Sequence, residues 1–238
     1  MATILAIESS GSTCGVGLII DGLYKQEYSI EIGNIHDMML AEFVRKIMSQ
    51  NNLQNISSID AVAVSAGPGS FTGIRIGASI AKALCYGNEP KFIAVQTLKA
   101  IAKAFIDLNL QINYEYIVPV LASVNNTAFF TKFDKNLNEK SEIELIDLTN
   151  LTMKITSNDV LCGNANAILE MLKNDNCSIN FYPIALSPKH IAILAAEMYE
   201  QGLFTNPEEF KPIYALDFVP KIKLPKLIYE NKKIQDSK

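Results

Sequence analysis

The spacing of hydrophobic and polar residues predicts alternating strands and helices in the first half of the chain. Residues 3–9, 15–21 and 23–30 form three predicted strands, with Asp21-Gly22 as a two-residue turn. An amphipathic helix follows at about residues 36–50. The next predicted elements are a strand at 61–65, a helix ending near Tyr86, a strand at 91–96 and a helix from about Thr97. This order, βββαβαβα, is typical of an α/β domain with a mixed sheet.

The second half repeats this order less regularly. Residues 115–124 and 127–134 predict a hairpin, and residues 143–149 and 160–162 predict two further strands. A short helix is expected from about Asn166, and Ser187-Pro188 is a good start signal for a helix to about Gln201. We therefore expect two domains, 1–105 and 106–220, the second reduced. Its last helix, about 188–202, is expected to pack back on the first domain.

Composition indicates a globular protein. About half of the 238 residues are hydrophobic (49%), and no apolar run reaches the roughly 18 residues that a spanning helix needs. The opening MATILAIESS lacks the basic region of a signal peptide. Cys14, Cys85, Cys162 and Cys177 show no CxxC spacing, which is typical of buried thiols in a reducing compartment. We expect a cytoplasmic protein that does not bind a membrane.

Charge is distributed unevenly along the chain. The net charge is −4, but residues 221–238 contain six lysines against Glu230 and Asp236, a local charge of +4. The remainder is therefore acidic, which makes it a poor platform for nucleic acid, since affinity comes mainly from phosphate neutralisation. We expect residues 221–238 to be a flexible basic tail.

The segment SAGPGSFTGIRIG, residues 65–77, places a glycine-rich turn between a strand and a helix. A phosphate-binding P-loop would need Lys-Ser/Thr after its last glycine, whereas Ile74 and Arg75 follow Gly73. A dinucleotide GxGxxG motif also fits poorly, because Gly73 comes one residue too late after Gly67 and Gly69. The sequence therefore argues against phosphate binding by this loop.

Two interpretations of this segment remain. In the first, residues 67–69 form a tight turn, and Ser70 or Thr72 caps the following helix. In the second, the small residues Gly73, Gly77 and Ala81 line one helix face, because glycine inside a helix costs about 1 kcal/mol and needs a reason. Such a face allows close approach of another backbone, either the chain's own sheet or a second chain. Met38 and Met39 on the preceding helix are adaptable residues that suit an interaction surface or an ordinary core.

Several strings resemble one known family. SAGPGSFTGIRIG, the opening LAIESSGSTCGVGLI, His36 at the head of the first helix and AVQTLKAIA at 94–102 together resemble the TsaB-type (YeaZ-type) glycoprotease-like proteins of the actin-like ATPase superfamily. The resemblance covers residues 3–102 and implies two tandem actin-like, ribonuclease-H-like domains. It also implies that the first two helices pair with a TsaD-like catalytic subunit, or with a second copy when that subunit is absent. A TsaE-like ATPase would dock near their junction, and tRNA would be reached only through the complex.

The resemblance assigns residues to this pairing surface. The expected interface residues are His36, Met39, Leu40, Phe43, Gly67, Pro68, Gly69, Ser70, Phe71, Thr72, Gly73, Arg75, Gly77 and Ala81. Among them, Gly73, Gly77 and Ala81 would allow close helix approach, and Arg75 would make polar contacts or an internal salt bridge.

Catalytic residues are not expected. TsaD-like subunits carry a HxxxH metal pair on the helix after the first three strands, whereas here Leu40 stands four residues after His36. Glu8, Ser10 and Thr13 lie in the turn where actin-like ATPases hold phosphate, and they are weak candidates for nucleotide binding. We expect no metal and no cofactor of the chain's own. ATP or ADP would bind, if anywhere, at the junction of the complex.

The sequence thus favours a non-catalytic scaffold subunit of the complex that makes tRNA N6-threonylcarbamoyladenosine. The alternative is an enzyme acting alone, either an actin-fold ATPase or kinase using residues 8–13 or a metal-independent glycoprotease-like hydrolase. In the second half, the family's Asp-Ala-Arg, Glu-Val-Tyr and Tyr-Leu-Arg motifs are replaced by 121–124, 127–130 and 214–216. Nucleotide or RNA contacts are accordingly less expected there.

Overall fold

The computed structural model describes residues 2–32, 35–87, 90–164 and 180–214. The first domain begins with three strands and a helix, followed by two strand–helix units. Its elements are β1 (Ile4–Glu8), β2 (Thr13–Ile20), β3 (Leu23–Glu31), α1 (His36–Gln50), β4 (Ala61–Ser65), α2 (Phe71–Leu84), β5 (Lys91–Val95) and α3 (Thr97–Ile106).

The described part of the second domain has the same order of strands, and most of these strands are shorter. Its elements are β6 (Ile117–Ala122), β7 (Thr127–Phe130), β8 (Glu144–Asp147), α4 (Leu148–Leu151), β9 (Val160–Gly163), β10 (Phe181–Pro183) and α5 (Pro188–Glu200). The helix predicted from Asn166 and the basic tail 221–238 lie outside the described residues. Strand β10 was not predicted.

Each domain contains a five-stranded mixed sheet, and the two sheets have the same topology. The strand orders are β3-β2-β1-β4-β5 and β10-β9-β6-β7-β8. In both sheets the first three strands are antiparallel and the last two run parallel to the central strand. This is the ribonuclease-H-like topology, so the predicted fold of two tandem actin-like domains is confirmed. The second domain is reduced, because a helix of four residues, α4, stands where α1 has fifteen.

The same backbone hydrogen bond recurs at equivalent positions of the two domains. After β1, the Ser9 amide donates to Ser65 Oγ at 3.1 Å. At the end of β6, the Ala122 amide donates to Asn164 Oδ1 at 2.9 Å. In each case the acceptor side chain is one residue beyond the last parallel pair, and the donor amide on the central strand is two residues beyond it. This correspondence supports an internal duplication that is not visible in the sequence.

The last helix of each domain packs on the sheet of the other domain. Helix α3 lies against β6 and β9, where Leu98, Ile101 and Phe105 join the core of the second domain. Helix α5 lies against β1 and β2, where Ile191 and Leu194 cover the strand face opposite α1 and α2. Each domain core is therefore completed by a helix from the other domain, and we call α3 and α5 the exchanged helices.

Local signals explain where several elements begin and turn. Asp21 and Gly22 both have positive φ (52° and 77°), as the two-residue turn between β2 and β3 requires. Ser70 Oγ accepts from the Gly73 amide and caps α2. Thr97 is not a cap but the first residue of α3, after Gln96. Within the described ranges, no helix has the length and apolar character needed to cross a bilayer.

Candidate functional site

Helices α1 and α2 lie side by side on one face of the first sheet. Their inner faces bury Leu40, Phe43 and Ile47 of α1 and Ala78 and Ala81 of α2 in a core shared with β1, β2 and β4. No other described element covers their outward faces in the structure. The two helices therefore present a continuous surface, which we call the α1–α2 face.

The α1–α2 face combines small, apolar and charged residues. Met38 of α1 is 73% exposed, an unusual position for a large apolar side chain. The other residues exposed on it are Asp37, Ala41, Arg45, Thr72, Arg75, Ser79 and Ala83, with Met39, Ile76 and Ile80 half-buried between them. Helical periodicity could have identified Ser79 from the sequence, since it lies opposite the small residues of α2.

The stripe of small residues on α2 faces the chain's own sheet, which corrects the interface prediction for Gly73, Gly77 and Ala81. A Cβ atom on Gly73 would overlap the Ser9 carbonyl oxygen, and one on Gly77 would overlap Ser9 Oγ. Ala81 is fully buried. These residues let α2 approach the end of β1 closely, and a bulky side chain at Gly77 would disturb this packing before it affected any pairing.

Other predicted interface residues are also buried by the chain itself. Leu40 and Phe43 belong to the first core, and the His36 ring is buried beneath the start of α1. Gly67 and Pro68 are buried as well. Of the predicted set, Ser70, Thr72 and Arg75 are exposed, and Met39, Gly69 and Phe71 are half-buried.

The glycine-rich turn is held by backbone bonds within the chain. The Ser70 amide donates to the Ser10 carbonyl at 2.7 Å, and the Ile213 amide donates to the Ala66 carbonyl at 2.8 Å. Gly67 has φ +99°, a backbone conformation that favours glycine, and the bond to Pro68 is cis. The turn therefore connects β4 to α2 and anchors both the first hairpin and the C-terminal segment.

The C-terminal segment 203–214, which we call the strap, runs from the end of α5 to the start of α2. Phe210 is buried against Phe92 with ring centroids 5.1 Å apart, and its carbonyl accepts from Lys82 Nζ at 3.3 Å. Tyr214 packs against Phe71 with ring centroids 5.1 Å apart. The strap thus reaches the edge of the α1–α2 face, a contact the sequence did not predict.

Arg75 is held between these aromatic rings. Its guanidinium carbon lies 3.8 Å from the centroid of the Phe71 ring, and its Nε donates to Tyr214 Oη at 3.1 Å. Among the described residues Arg75 forms no salt bridge inside the chain, and its polar contacts at the pairing surface stay a prediction.

The candidate nucleotide turn is closed in the structure. Glu8, Ser10 and Thr13 are all buried. Ser10 Oγ and the Ser10 amide both donate to Glu8 Oε1 at 2.6 Å, and Thr13 Oγ1 donates to the Leu186 carbonyl at 3.0 Å. The Leu186 side chain lies where a Cβ of Gly11 would stand. As arranged here, these three residues present no polar atom to a nucleotide.

Burial changes the chemistry of Glu8. Desolvation raises the pKa of this carboxyl from 4.5 to about 7, although hydrogen bonds from Ser10, Ser65 and Ser9 act in the opposite direction. Its second oxygen, Oε2, has no hydrogen-bond partner. The side chain is consequently protonated over much of the range in which an ordinary glutamate is charged.

The two histidines lie at separate places in the fold. His36 Nε2 lies 3.1 Å from the Thr13 carbonyl oxygen, whereas His190 Nε2 lies 3.6 Å from Asp107 Oδ2. Among the described residues, no three His, Cys, Asp or Glu side chains are grouped as metal ligands. A cleft of about 250 Å³ lies beside His36 at the N-terminal ends of α1 and α2, lined by Gly11, His36, Asp37, Ser70, Thr72, Gly73 and Ile76.

The duplicated sheets and exchanged helices define a protein of the actin-like class. Comparison with known proteins shows which members of this class the chain resembles. Residues 32–122, less than half of the chain, match the family described as TsaD, tRNA N6-adenosine threonylcarbamoyltransferase. The tRNA threonylcarbamoyladenosine biosynthesis protein TsaB of Haemophilus influenzae is 30% identical over 130 residues, covering 55% of this chain and 53% of that protein. The chain thus spans about half the length of this relative.

Two further comparisons agree with this match. TsaB of Buchnera aphidicola is 29% identical over 167 residues, covering 66% of this chain and 71% of that protein. The structure of YeaZ from Pseudomonas aeruginosa superposes with a TM-score of 0.76 at 19% identity, covering 90% of this chain and 100% of that one, and so shares its fold. These matches confirm the predicted resemblance to TsaB-type proteins.

Proposed function

We propose that this chain is a non-catalytic scaffold subunit in the biosynthesis of tRNA N6-threonylcarbamoyladenosine. It pairs through the α1–α2 face with a TsaD-like catalytic subunit, and a TsaE-like ATPase docks near their junction. In isolation the same face pairs two copies of the chain. The names of the sequence relatives support the pathway, and the α1–α2 face supports the mode of action.

The observation that carries this proposal is the uncovered outer surface of two helices whose inner surfaces build the first core. Large apolar side chains on a surface mark interaction sites when they are contiguous with other apolar residues. Met38 meets this description, because half-buried Met39, Ile76 and Ile80 lie on the same face. An adaptable methionine among small residues suits the packing of a partner helix.

The closed first turn supports a role without nucleotide chemistry in this chain. An ATPase or kinase using residues 8–13 would need backbone amides and hydroxyls directed at a phosphate. Here the Ser10 and Thr13 hydroxyls donate to Glu8 and to the Leu186 carbonyl. On this proposal, ATP or ADP binds at the junction of the complex and not within the chain.

The proposal is tested by pairing with the TsaD-like subunit of the same organism. We expect Met38→Asp to raise the Kd of the complex at least about tenfold, because it buries a charge at the interface. The matched control is Met153→Asp, since Met153 is 82% exposed in the second domain, away from this face. Isothermal titration calorimetry measures the Kd of both variants. The rate at which the reconstituted complex forms modified adenosine in tRNA should fall for Met38→Asp and stay unchanged for Met153→Asp.

Two outcomes would contradict the proposed function. One is the failure of the unmodified chain to bind the TsaD-like subunit under conditions in which that subunit is folded. The other is steady ATP hydrolysis by the purified chain alone, which would favour the enzyme alternative.

A further inference from the structure

The two arginines of the sequence, Arg45 and Arg75, both lie on the α1–α2 face but in different electrostatic settings. Arg45 is neutralised within its own helix, because its Nε and Nη2 donate to the two carboxylate oxygens of Glu42 at 2.8 and 2.7 Å. Arg75 has no acidic partner among residues 2–32, 35–87, 90–164 and 180–214. Its positive charge is therefore available on this surface.

Arg75 is also restrained in orientation. Phe71 supports one face of the guanidinium, and Tyr214 Oη accepts from Nε, so that rotation about the last side-chain bonds is limited. In the described structure the two terminal nitrogens make no hydrogen bond. An exposed arginine ordinarily loses conformational freedom on binding, and a restrained one loses less.

We propose that Arg75 recognises a carboxylate of the TsaD-like subunit, with Phe71 and Tyr214 as positioning residues. The planar fork of an arginine matches a carboxylate in a two-bond geometry, and the hydrogen bond from Nε to Tyr214 leaves the two terminal nitrogens to make it. The end of the strap thereby becomes part of the recognition surface, although it is remote from α1 and α2 in sequence. This inference rests on the proposed function and names the chemistry of one contact within it.

A second copy of the chain could supply the same chemistry through Asp37. This residue is exposed on the α1–α2 face, and its carboxylate has no hydrogen bond or ion pair within the described residues. The two sources of carboxylate are distinguishable, because Asp37→Asn would weaken self-association as much as Arg75→Gln does only if Asp37 is the carboxylate that Arg75 meets.

The experiment compares the affinity of four variants for the TsaD-like subunit. We expect Arg75→Gln to raise the Kd about thirtyfold and Arg75→Lys about tenfold, since lysine keeps the charge but loses the fork. Tyr214→Phe keeps the ring and removes the acceptor, so a rise of about threefold is expected. Lys154→Gln is the control with the same change in net charge, and its Kd should stay within about twofold, because Lys154 is paired with Glu144 in the second domain, outside the α1–α2 face.

A double variant separates positioning from simple structural support. If Tyr214 acts through Arg75, Arg75→Gln with Tyr214→Phe binds no more weakly than Arg75→Gln alone. Thermal unfolding of each variant shows whether the monomer is intact. Equal losses for Arg75→Gln and Lys154→Gln, or no loss for Arg75→Gln while the unmodified chain binds, would overturn this inference and leave the proposed function standing. Failure of the unmodified chain to bind would overturn both.

Discussion

The carboxyl group of Glu8 lies at the end of β1 without solvent contact. Its pKa of about 7 means that the folded protein retains a proton that the unfolded chain releases near pH 4.5. The contribution of Glu8 to the free energy of unfolding is therefore largest below about pH 4.5 and falls as the pH rises to about 7. The same residue type on the surface would not have this effect.

This behaviour gives a prediction at the scale of one residue. Glu8→Gln removes the titrating proton, while its amide oxygen can accept the same two hydrogen bonds from Ser10. We expect the variant to be more stable than the unmodified chain at pH 8 by up to about 3 kcal/mol, and the two to converge near pH 4.5. Urea denaturation at a series of pH values measures the difference.

The control for this prediction is an exposed carboxylate. Glu142→Gln, whose side chain is exposed, makes the same chemical change on the surface and is measured in the same series. A Glu8→Gln variant that lost stability equally at both ends of the range would show that folding does not raise the pKa of Glu8.

The elements of the first domain were largely predictable from the sequence. Helix α1 and strand β4 have the predicted bounds, because amphipathic spacing and an uninterrupted apolar run determine them locally. Strand β10 was missed because its three residues, Phe181–Pro183, acquire strand structure only by pairing with β9. Short strands of this kind depend on tertiary contacts that no local pattern records.

The sequence indicated which helices form the candidate site, but not which residues of these helices face outward. Gly73 and Gly77 indicated a close backbone approach, and the structure shows one, but the neighbour is the chain's own Ser9. The spacing of small residues cannot show which partner approaches, because close packing against a strand of the same chain and against a helix of another chain requires the same small residues. Contacts from distant segments, such as Tyr214 on Arg75, leave no sequence signal at all.

The strap permits a prediction at the scale of an element. Phe210→Ala would remove the buried ring that packs on Phe92, and we expect a loss of about 3 kcal/mol in the free energy of unfolding. Chemical denaturation measures this loss. Phe204→Ala is the control within the same segment, and because Phe204 is 42% exposed, its loss should stay below about 1 kcal/mol. Similar losses for both variants would mean that Phe210 does not anchor the strap.

At the scale of the whole molecule, the exchanged helices make the two domains depend on each other. Removing α5 would uncover Ile4, Ala6 and Ile19 on one face of the first sheet. Removing the second sheet would uncover Leu98 and Phe105 of α3. The hydrophobic surface uncovered in each case is part of a domain core.

We therefore predict that residues 1–106 alone do not form a stable monomer, although they contain every strand of the first sheet. The fragment should lack a cooperative thermal transition by circular dichroism, whereas the full chain should show a single one. A cooperative transition in the fragment would indicate that α5 contributes little to the first domain.

Leu186 restrains the turn between β1 and β2. Its side chain lies beside Gly11, and its carbonyl accepts from Thr13 Oγ1. The turn is therefore held to the connection before α5 by a buried side chain and a hydrogen bond. The backbone amides of this turn should exchange slowly with solvent, which hydrogen–deuterium exchange measures.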